Sequence, residues 1–253
     1  MAAADYATSE VHAKGASLAR LVELTEPKPH WRVLDVATGA GHTALAFAPH
    51  VAKVTATDIT TEMLAEAKKL AAARGLANVR TLPAKAEDLP FPDASFDLVV
   101  CRLAAHHFDR IADFVSEAFR VLLPEGVLAL VDNVAPDDAL VAGRTSDELR
   151  EWAGLFNDFK KLSDPSHVRC LGLVEWKTLL SGAGFTVTHD ECLDKEIEFE
   201  AWVRRMRSDE ATSTRLKEML LAEPLRGFLH SRYASSGADF TLKEGIILAH
   251  KPR

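Results

Sequence analysis

Cysteine is scarce in this 253-residue chain: Cys101, Cys170 and Cys192 are the only three, and no two lie close together. An odd count without short spacing suggests neither a disulfide framework nor a structural zinc knuckle, and fits a reducing compartment. A basic block is also missing. Lys and Arg number 30 against 37 Asp and Glu, a formal net charge of -7 with the 10 His neutral. That balance argues against a general electrostatic footprint on nucleic acid or anionic membrane, and leaves room for a local basic pocket. No apolar run approaches the roughly 18 residues of a spanning helix, and the opening MAAADYATSEVHAKG has no apolar signal core behind a basic patch. The expectation is an unprocessed cytoplasmic chain without a membrane or nucleic-acid partner. There is no internal repeat, low-complexity tract or separating linker, so one domain is expected. No strand-elbow Gly-x-Ser-x-Gly occurs, which leaves a hydrolase of that type unsupported.

What is present is a globular balance, 47% apolar and 26% charged, enough to bury a large core. From residue 30 to 135 short β-branched or Leu-rich runs alternate with helical patterns, the sign of βαβ units around a parallel sheet. Strands are expected at Trp31 to Ala37, Lys53 to Asp58, Val79 to Pro83, Phe96 to Cys101 and Gly126 to Val134. Met63, Leu64, Ala67, Leu70 and Ala71 share one helical face, as do Phe114, Ala118, Val121 and Leu122. Val11 to Leu24 reads as an amphipathic helix ended by Pro27 and Pro29, within an N-terminal lid over residues 1–29.

Beyond residue 135 the alternation breaks. Thr145 to Glu148 reads as a capping box, and Leu149, Trp152, Phe156 and Phe159 then mark a helix. A further helix is expected from Leu173 to Ala183, and strands at Gly184 to Cys192 and Phe240 to His250. Between those strands Phe199, Trp202, Val203 and Met206, then Leu216, Met219 and Leu220, recur at helical spacing. Residues 136–253 therefore read as covering helices and the last two strands.

The most informative stretch is VLDVATGAGHTALAF, residues 33 to 47: an apolar strand, a small-residue turn, then a helix. Glycines without Cβ let backbone N–H groups approach a ligand, and Asp58, ending the next strand, is placed to accept both hydroxyls of a ribose. The loop alone is ambiguous, because Gly39, Gly41 and Ala44 also satisfy a dinucleotide fingerprint with an acid about 20 positions on. Asp35 discriminates. A carboxylate beside the loop repels a pyrophosphate but suits a ligand carrying an ammonium and a sulfonium, which is S-adenosylmethionine.

VLDVATGAG, TDITTEML at 57 to 64 and AEDLPFPDASFDLVVCR at 86 to 102 together resemble a class I S-adenosylmethionine-dependent methyltransferase of the ubiquinone/menaquinone-biosynthesis (type 11) group. CRLAAHHF and the later DPSHVR resemble its YcgJ-type branch. The resemblance implies a doubly wound α/β Rossmann-like fold with seven strands, the last antiparallel. It also implies that Asp35, Ala37, Gly39 and Gly41 line the methionine end, Asp58 holds the ribose and Ile59 packs on the adenine. Ala86 would supply a backbone N–H to the adenine, Glu87 would accept from its amine, and Cys101 and Arg102 would border the methyl end. Ala37 replaces the usual first glycine, which is tolerable at negative φ. Lys85 stands where relatives often place Asp or Asn, and a cation cannot accept the adenine hydrogen bond.

Methyl transfer is an in-line displacement, so the enzyme chiefly aligns a nucleophile and excludes water. A hydroxyl or enolisable carbon needs a base, for which neutral imidazole is suited. His106 and His107 follow the fourth strand at the carboxyl-end loops where open α/β sheets bind ligands. His106 is the candidate base and His107 a substrate contact; the competing reading is a helix cap and packing on Phe108. His167 and Arg169 are candidates to meet a carboxylate or phenolate substrate, against a solvated loop. Trp152, Phe156, Phe159, Trp202 and Met206 either line a pocket or form core. Glu196, Glu198 and Glu200 read as a solvated face, and no metal site is expected. The sequence reading is thus a methyltransferase acting on a small molecule, against an NAD-dependent oxidoreductase or a non-catalytic cofactor-binding protein. It names neither an acceptor atom nor an oligomeric state.

Overall fold

A computed structural model describes residues 15–234 and 237–253. Five parallel strands form the first part of the sheet: β1 (Arg32–Val36), β2 (Lys53–Asp58), β3 (Val79–Pro83), β4 (Phe96–Arg102) and β5 (Leu122–Asn133). The order is β3-β2-β1-β4-β5-β8-β6, where β8 (Gly237–His250) runs antiparallel to both β5 and β6 (Thr186–Glu198). Short β7 (Arg232–Ala234) pairs with β8 outside that seven-strand row. The reversal from β1-β2-β3 to β4-β5 opens a crevice at the carboxyl ends of β1 and β4, where such sheets receive ligands.

Side chains alternate across the sheet as the pleat requires. Val33, Leu98, Val100, Ala129 and Val131 belong to one core layer with Leu21, Ala44 and Phe47, from α1 (Ala16–Thr25) and α2 (His42–Phe47). Leu34, Val99, Cys101, Leu128 and Leu130 belong to the opposite layer with α4 (Ile111–Val121) and α6 (Leu173–Gly182). Helix α3 (Thr61–Ala73) follows β2. Leu122 is the first residue of β5 and not part of the α4 face, because the helix ends at Val121 and the chain turns extended there.

Residues 11–14 of the expected N-terminal helix lie outside the described residues. Its described part packs on the sheet: Leu18 and Leu21 are buried, and Arg20 fastens α1 to β6 through two bonds to Glu191, 2.8 and 3.0 Å. An apolar stripe on that helix has a sheet face to cover, and burial there outweighs a position at the rim.

A third core layer forms the cover. Helix α5 (Ser146–Ser163), α7 (Phe199–Met206), α8 (Glu210–Leu221) and the short α9 (Leu225–Phe228) bury Phe156, Phe159, Trp202, Leu216 and Phe228 against Phe240 and Leu242 of β8. Thr145 caps α5 in a full capping box with Glu148. Strand β6 extends to Glu198, six residues past the expected end, because β8 offers a partner along its whole length, with Asp194 opposite Lys243 at 2.8 Å and Ile197 opposite Phe240. Pairing overrides the weak strand preference of Asp-Lys-Glu.

Candidate active site

The turn after β1 is built around two carboxylates. Asp35 is buried in the strand; its Oδ2 accepts from Thr38 Oγ1 at 2.5 Å and from the Ala44 N–H at 2.9 Å. Burial raises its pKa to about 7, against the lowering effects of those two donors and of nearby Arg102. Asp58, ending β2, accepts from the Gly39 N–H at 2.8 Å through Oδ2 and from the Thr60 N–H at 2.9 Å through Oδ1. Asp58 therefore shapes the loop and keeps acceptor capacity on each oxygen. Its neighbour Ile59 is 71% exposed, a large apolar side chain held in solvent beside the crevice.

Gly41 answers to packing. Its φ is +89°, and a Cβ there would lie 2.8 Å from the Ala67 Cβ of α3, so it lets two helices meet. Ala37 departs from expectation: its φ is +53°, not negative. The turn demands a left-handed residue there, and alanine adopts it at a cost of about 1 to 2 kcal/mol. Gly39, at φ +55°, has no such cost.

On the loop after β3, Ala86 is buried, Lys85 is exposed, and Glu87 is half-buried with the Arg110 N–H 3.5 Å from its Oε1. Cys101 and Arg102 end β4, both buried. Burial pushes the Cys101 thiol well up, helped by the charges of Asp132 and Asp35 between which it sits.

After β4, Leu103 adopts φ +54° and a single 3₁₀ turn, Ala105–His107, follows. That turn carries His106 onto Asp132 of β5. Asp132 Oδ1 lies 2.5 Å from His106 Nδ1, and Oδ2 accepts the His106 backbone N–H at 2.8 Å. Burial works against ionising Asp132, but the charge and hydrogen bond of His106 and the Asn133 N–H bring its pKa below the usual range. An ionised Asp132 only accepts, so Nδ1 carries a proton, and whenever the ring is neutral Nε2 is the nitrogen with the lone pair.

Two more histidines close around this ring. His107 lies with its centroid 4.2 Å from that of His106, and His167 with its centroid 5.5 Å away. His107 Nδ1 faces the Ser166 carbonyl at 3.2 Å. His167 Nε2 donates to Asn157 Oδ1 at 2.9 Å, an oxygen that also receives the Cys170 N–H at 2.7 Å. Burial lowers the pKa of His107 and takes that of His167 down to about 3. Arg169 does not join them. Its side chain is half in solvent and paired with Glu175 at 2.8 Å, because Val168 and Arg169 use their backbone N–H groups on the His106 carbonyl, which turns the arginine outward.

His106, His107 and His167 line a cavity of about 310 Å³ with Leu103, Asn133, Lys160, Lys195, Trp202 and Met206. Trp202 and Met206 thus serve as pocket wall, while Phe156 and Phe159 are core and Trp152 lies under Arg144, 4.9 Å from its ring. The capping-box helix and β6 both supply the wall, which is why a cover follows the late strands.

The family model for a methyltransferase domain matches residues 34–130. The methyltransferase YcgJ of Bacillus subtilis (strain 168), itself uncharacterized, is 38% identical over 200 residues, 79% of this chain and 75% of that protein. The chain belongs to the class I S-adenosylmethionine-dependent methyltransferases, in the YcgJ branch. The crystal structure of the Bacillus subtilis YcgJ protein has the same fold, with a TM-score of 0.85 at 33% identity over 94% of this chain and 98% of that one. A candidate methyltransferase from Bacillus halodurans C-125 also scores 0.85, at 35% identity over 94% of this chain and 100% of that chain.

For this methyltransferase the cofactor is S-adenosylmethionine, and the residues present fit it. A buried carboxylate with a pKa near 7 gains most from a cationic ligand, and Asp58 keeps lone pairs for hydroxyls. The oxidoreductase alternative left by the glycine spacing falls with the family assignment. Sequence reasoning missed Asp132, Asn133, Asn157, Lys160 and Lys195. Asp132 carried a signal, an acid closing the apolar run GVLALV at the carboxyl end of a strand.

Proposed function

We propose that this methyltransferase acts on a small molecule in the cytoplasm, with His106 as the base that takes the acceptor's proton and Asp132 as the group that orients it. The observation that carries this reading is the pair itself: an imidazole with its Nδ1 proton held on a buried carboxylate, on the wall of a cavity at the carboxyl edge of the sheet. Asp35 and Gly39 hold the methionine end of the cofactor, aided by the Ala37 and Gly41 turn geometry, Asp58 the ribose and Ile59 the adenine. Ala86 and Glu87 border the adenine edge, and Cys101 and Arg102 the methyl end.

Bound S-adenosylmethionine supplies an electrophilic methyl group on a sulfonium. His106 Nε2 accepts the proton of a hydroxyl or an enolisable carbon as that atom becomes nucleophilic, and Asp132 stabilises the imidazolium that forms. His107 and His167 stay neutral near pH 7, so neither ring adds a positive charge beside that imidazolium. Trp202 and Met206 give the cavity an apolar wall, which disfavours water that would compete for the methyl group. The acidic total charge and a cavity of about 310 Å³ suit a metabolite better than a nucleic-acid strand. None of the described helices is long and apolar enough to cross a membrane.

The test is transfer of labelled methyl from S-adenosylmethionine into a small-molecule extract. Wild-type protein should label a product of metabolite size, and His106→Ala should lower the rate by about 100-fold or more while S-adenosylhomocysteine affinity holds. Label appearing only in RNA or protein would refute the small-molecule reading. Full activity in the variant would refute the base.

A further inference from the structure

We infer that the methyl acceptor is an organic anion whose carboxylate or phosphate is received by Lys160. The inference rests on the cavity beside His106 being the acceptor site. Helix α5 presents Leu149, Phe156, Phe159, Lys160 and Ser163 as its buried face. A lysine therefore occupies a place in an inward stripe where the helical period calls for an apolar residue. Lys160 is 9% exposed and lines the cavity. No described residue gives its Nζ an ion pair or a hydrogen bond. Its stem is buried while the ammonium faces the cavity without a protein counter-charge, an arrangement that suits an anionic group brought by a ligand.

Helix α5 itself has no need of a lysine at this position. Its carboxyl end is served by the neighbouring Lys161, with Nζ donating to the Pro165 and His167 carbonyls at 2.8 and 2.7 Å. None of the cavity's remaining charged groups forms an ion pair with Lys160. Asp164 Oδ1 is engaged by the Ser166 N–H at 2.9 Å and hydroxyl at 2.6 Å. Lys195, also on the wall, is matched by Glu244 at 2.5 Å. His107 and His167 are held neutral by burial. Lys160 is thus a cation of the lining with no ion pair among the described residues. The Nδ1 of His167 adds a buried acceptor with no partner, so a proton donor next to the acidic group, from the acceptor or from water, would complete the wall. An ammonium is a point charge that takes carboxylate and phosphate alike.

The experiment titrates benzoate, phenyl phosphate and benzamide into the protein loaded with S-adenosylhomocysteine, read by ligand-observed NMR. At least one anion should bind wild type about tenfold or more tightly than benzamide, the span of a hydrogen bond to a charged group. Which anion prefers the site separates a carboxylate acceptor from a phosphate one. Lys160→Met should erase the preference and leave benzamide affinity unchanged, and Lys160→Arg should retain it. Equal binding of acid and amide by wild type overturns the inference whether or not the variants fold, as does failure of all three probes or a preference that survives in Lys160→Met. S-adenosylhomocysteine affinity in the same samples separates the two levels: retained affinity without anion preference refutes the anion site alone, and no affinity in wild type refutes the cofactor site together with it.

Discussion

Asp132 grips His106 twice, at the ring through Oδ1 and at the backbone N–H through Oδ2, so one buried carboxylate fixes both the tautomer and the position of the imidazole. The two residues come from adjacent strands, His106 from the turn after β4 and Asp132 from the end of β5, whose register pairs Arg102 with Val131. Leu103, at φ +54°, supplies the sharp turn that brings the ring back over its partner.

Asp132→Asn tests the orientation. The amide keeps the shape, but its NH₂ group can donate to Nδ1, which moves the ring proton to Nε2 and removes the base. Turnover on the acceptor should fall by about 100- to 10,000-fold, the range for a positioned general base, with S-adenosylhomocysteine affinity within twofold of wild type by calorimetry. A wild-type rate would show that His106 does not act through this tautomer.

Asp58 and Ile59 divide the nucleoside end into polar and apolar parts. Asp58→Ala should weaken cofactor binding by about 1.5 to 3 kcal/mol and also loosen the turn, since the Gly39 N–H loses its acceptor. Ile59→Ser should weaken it by about 1 kcal/mol, part of the gain from covering an isoleucine, and leave the melting temperature unchanged because the side chain is exposed in the free protein. A fall in stability with unchanged affinity for Ile59→Ser would place the adenine elsewhere.

How much of this was legible in the sequence follows from the range of each interaction. Strands β2 and β3 begin and end where the local pattern puts them, because each is a short run with β-branched residues bounded by turns. Strand β6 ran past its expected end, since only the partner β8 makes Asp194 to Glu198 extended. The Asp35 and Asp58 positions were readable from loop spacing, but the sign of φ at Ala37 was not, because it depends on how the turn closes on β2 through the Thr38 N–H and the Thr57 carbonyl. The histidines were found and their partners were missed. Asp132, Asn157 and Lys160 reach them only through sheet register and the cover, at separations of 26 residues for His106 and Asp132 and 10 for His167 and Asn157.

The raised pKa of Asp35 gives two pH dependences of known sign. A cationic ligand favours the carboxylate, so S-adenosylmethionine affinity should rise with pH from about 5 to above 7 and level off once Asp35 is ionised without the ligand. Stability of the free protein runs the other way. The folded carboxyl keeps its proton up to about pH 7, whereas the unfolded one loses it near 3.8, so this group makes stability decline as pH rises between those values. Asp35→Asn should abolish that decline, bind cofactor at least about tenfold more weakly through loss of a charged contact, and melt higher than wild type at pH 8. A variant that melts lower at pH 8 would mean that the two hydrogen bonds to Asp35 outweigh its desolvation.

His167 acts in the opposite sense. Its folded pKa, taken down to about 3 by burial, lies below the ordinary 6.5, so the stability it contributes is fully present above 6.5 and is lost as pH falls from there toward 3. Between pH 6.5 and 4 the unfolded chain binds a proton that the folded chain refuses, a slope of up to about 1.4 kcal/mol per pH unit. His167→Gln can still donate to Asn157 through its amide and cannot titrate, so its melting temperature should fall less steeply with acid than that of wild type. Asp35 and His167 offset each other in the wild-type curve between about pH 4 and 6.5, and the difference curves of the two variants should therefore have opposite slopes there. A flat difference curve for either variant would show that its group keeps its ordinary pKa in the fold.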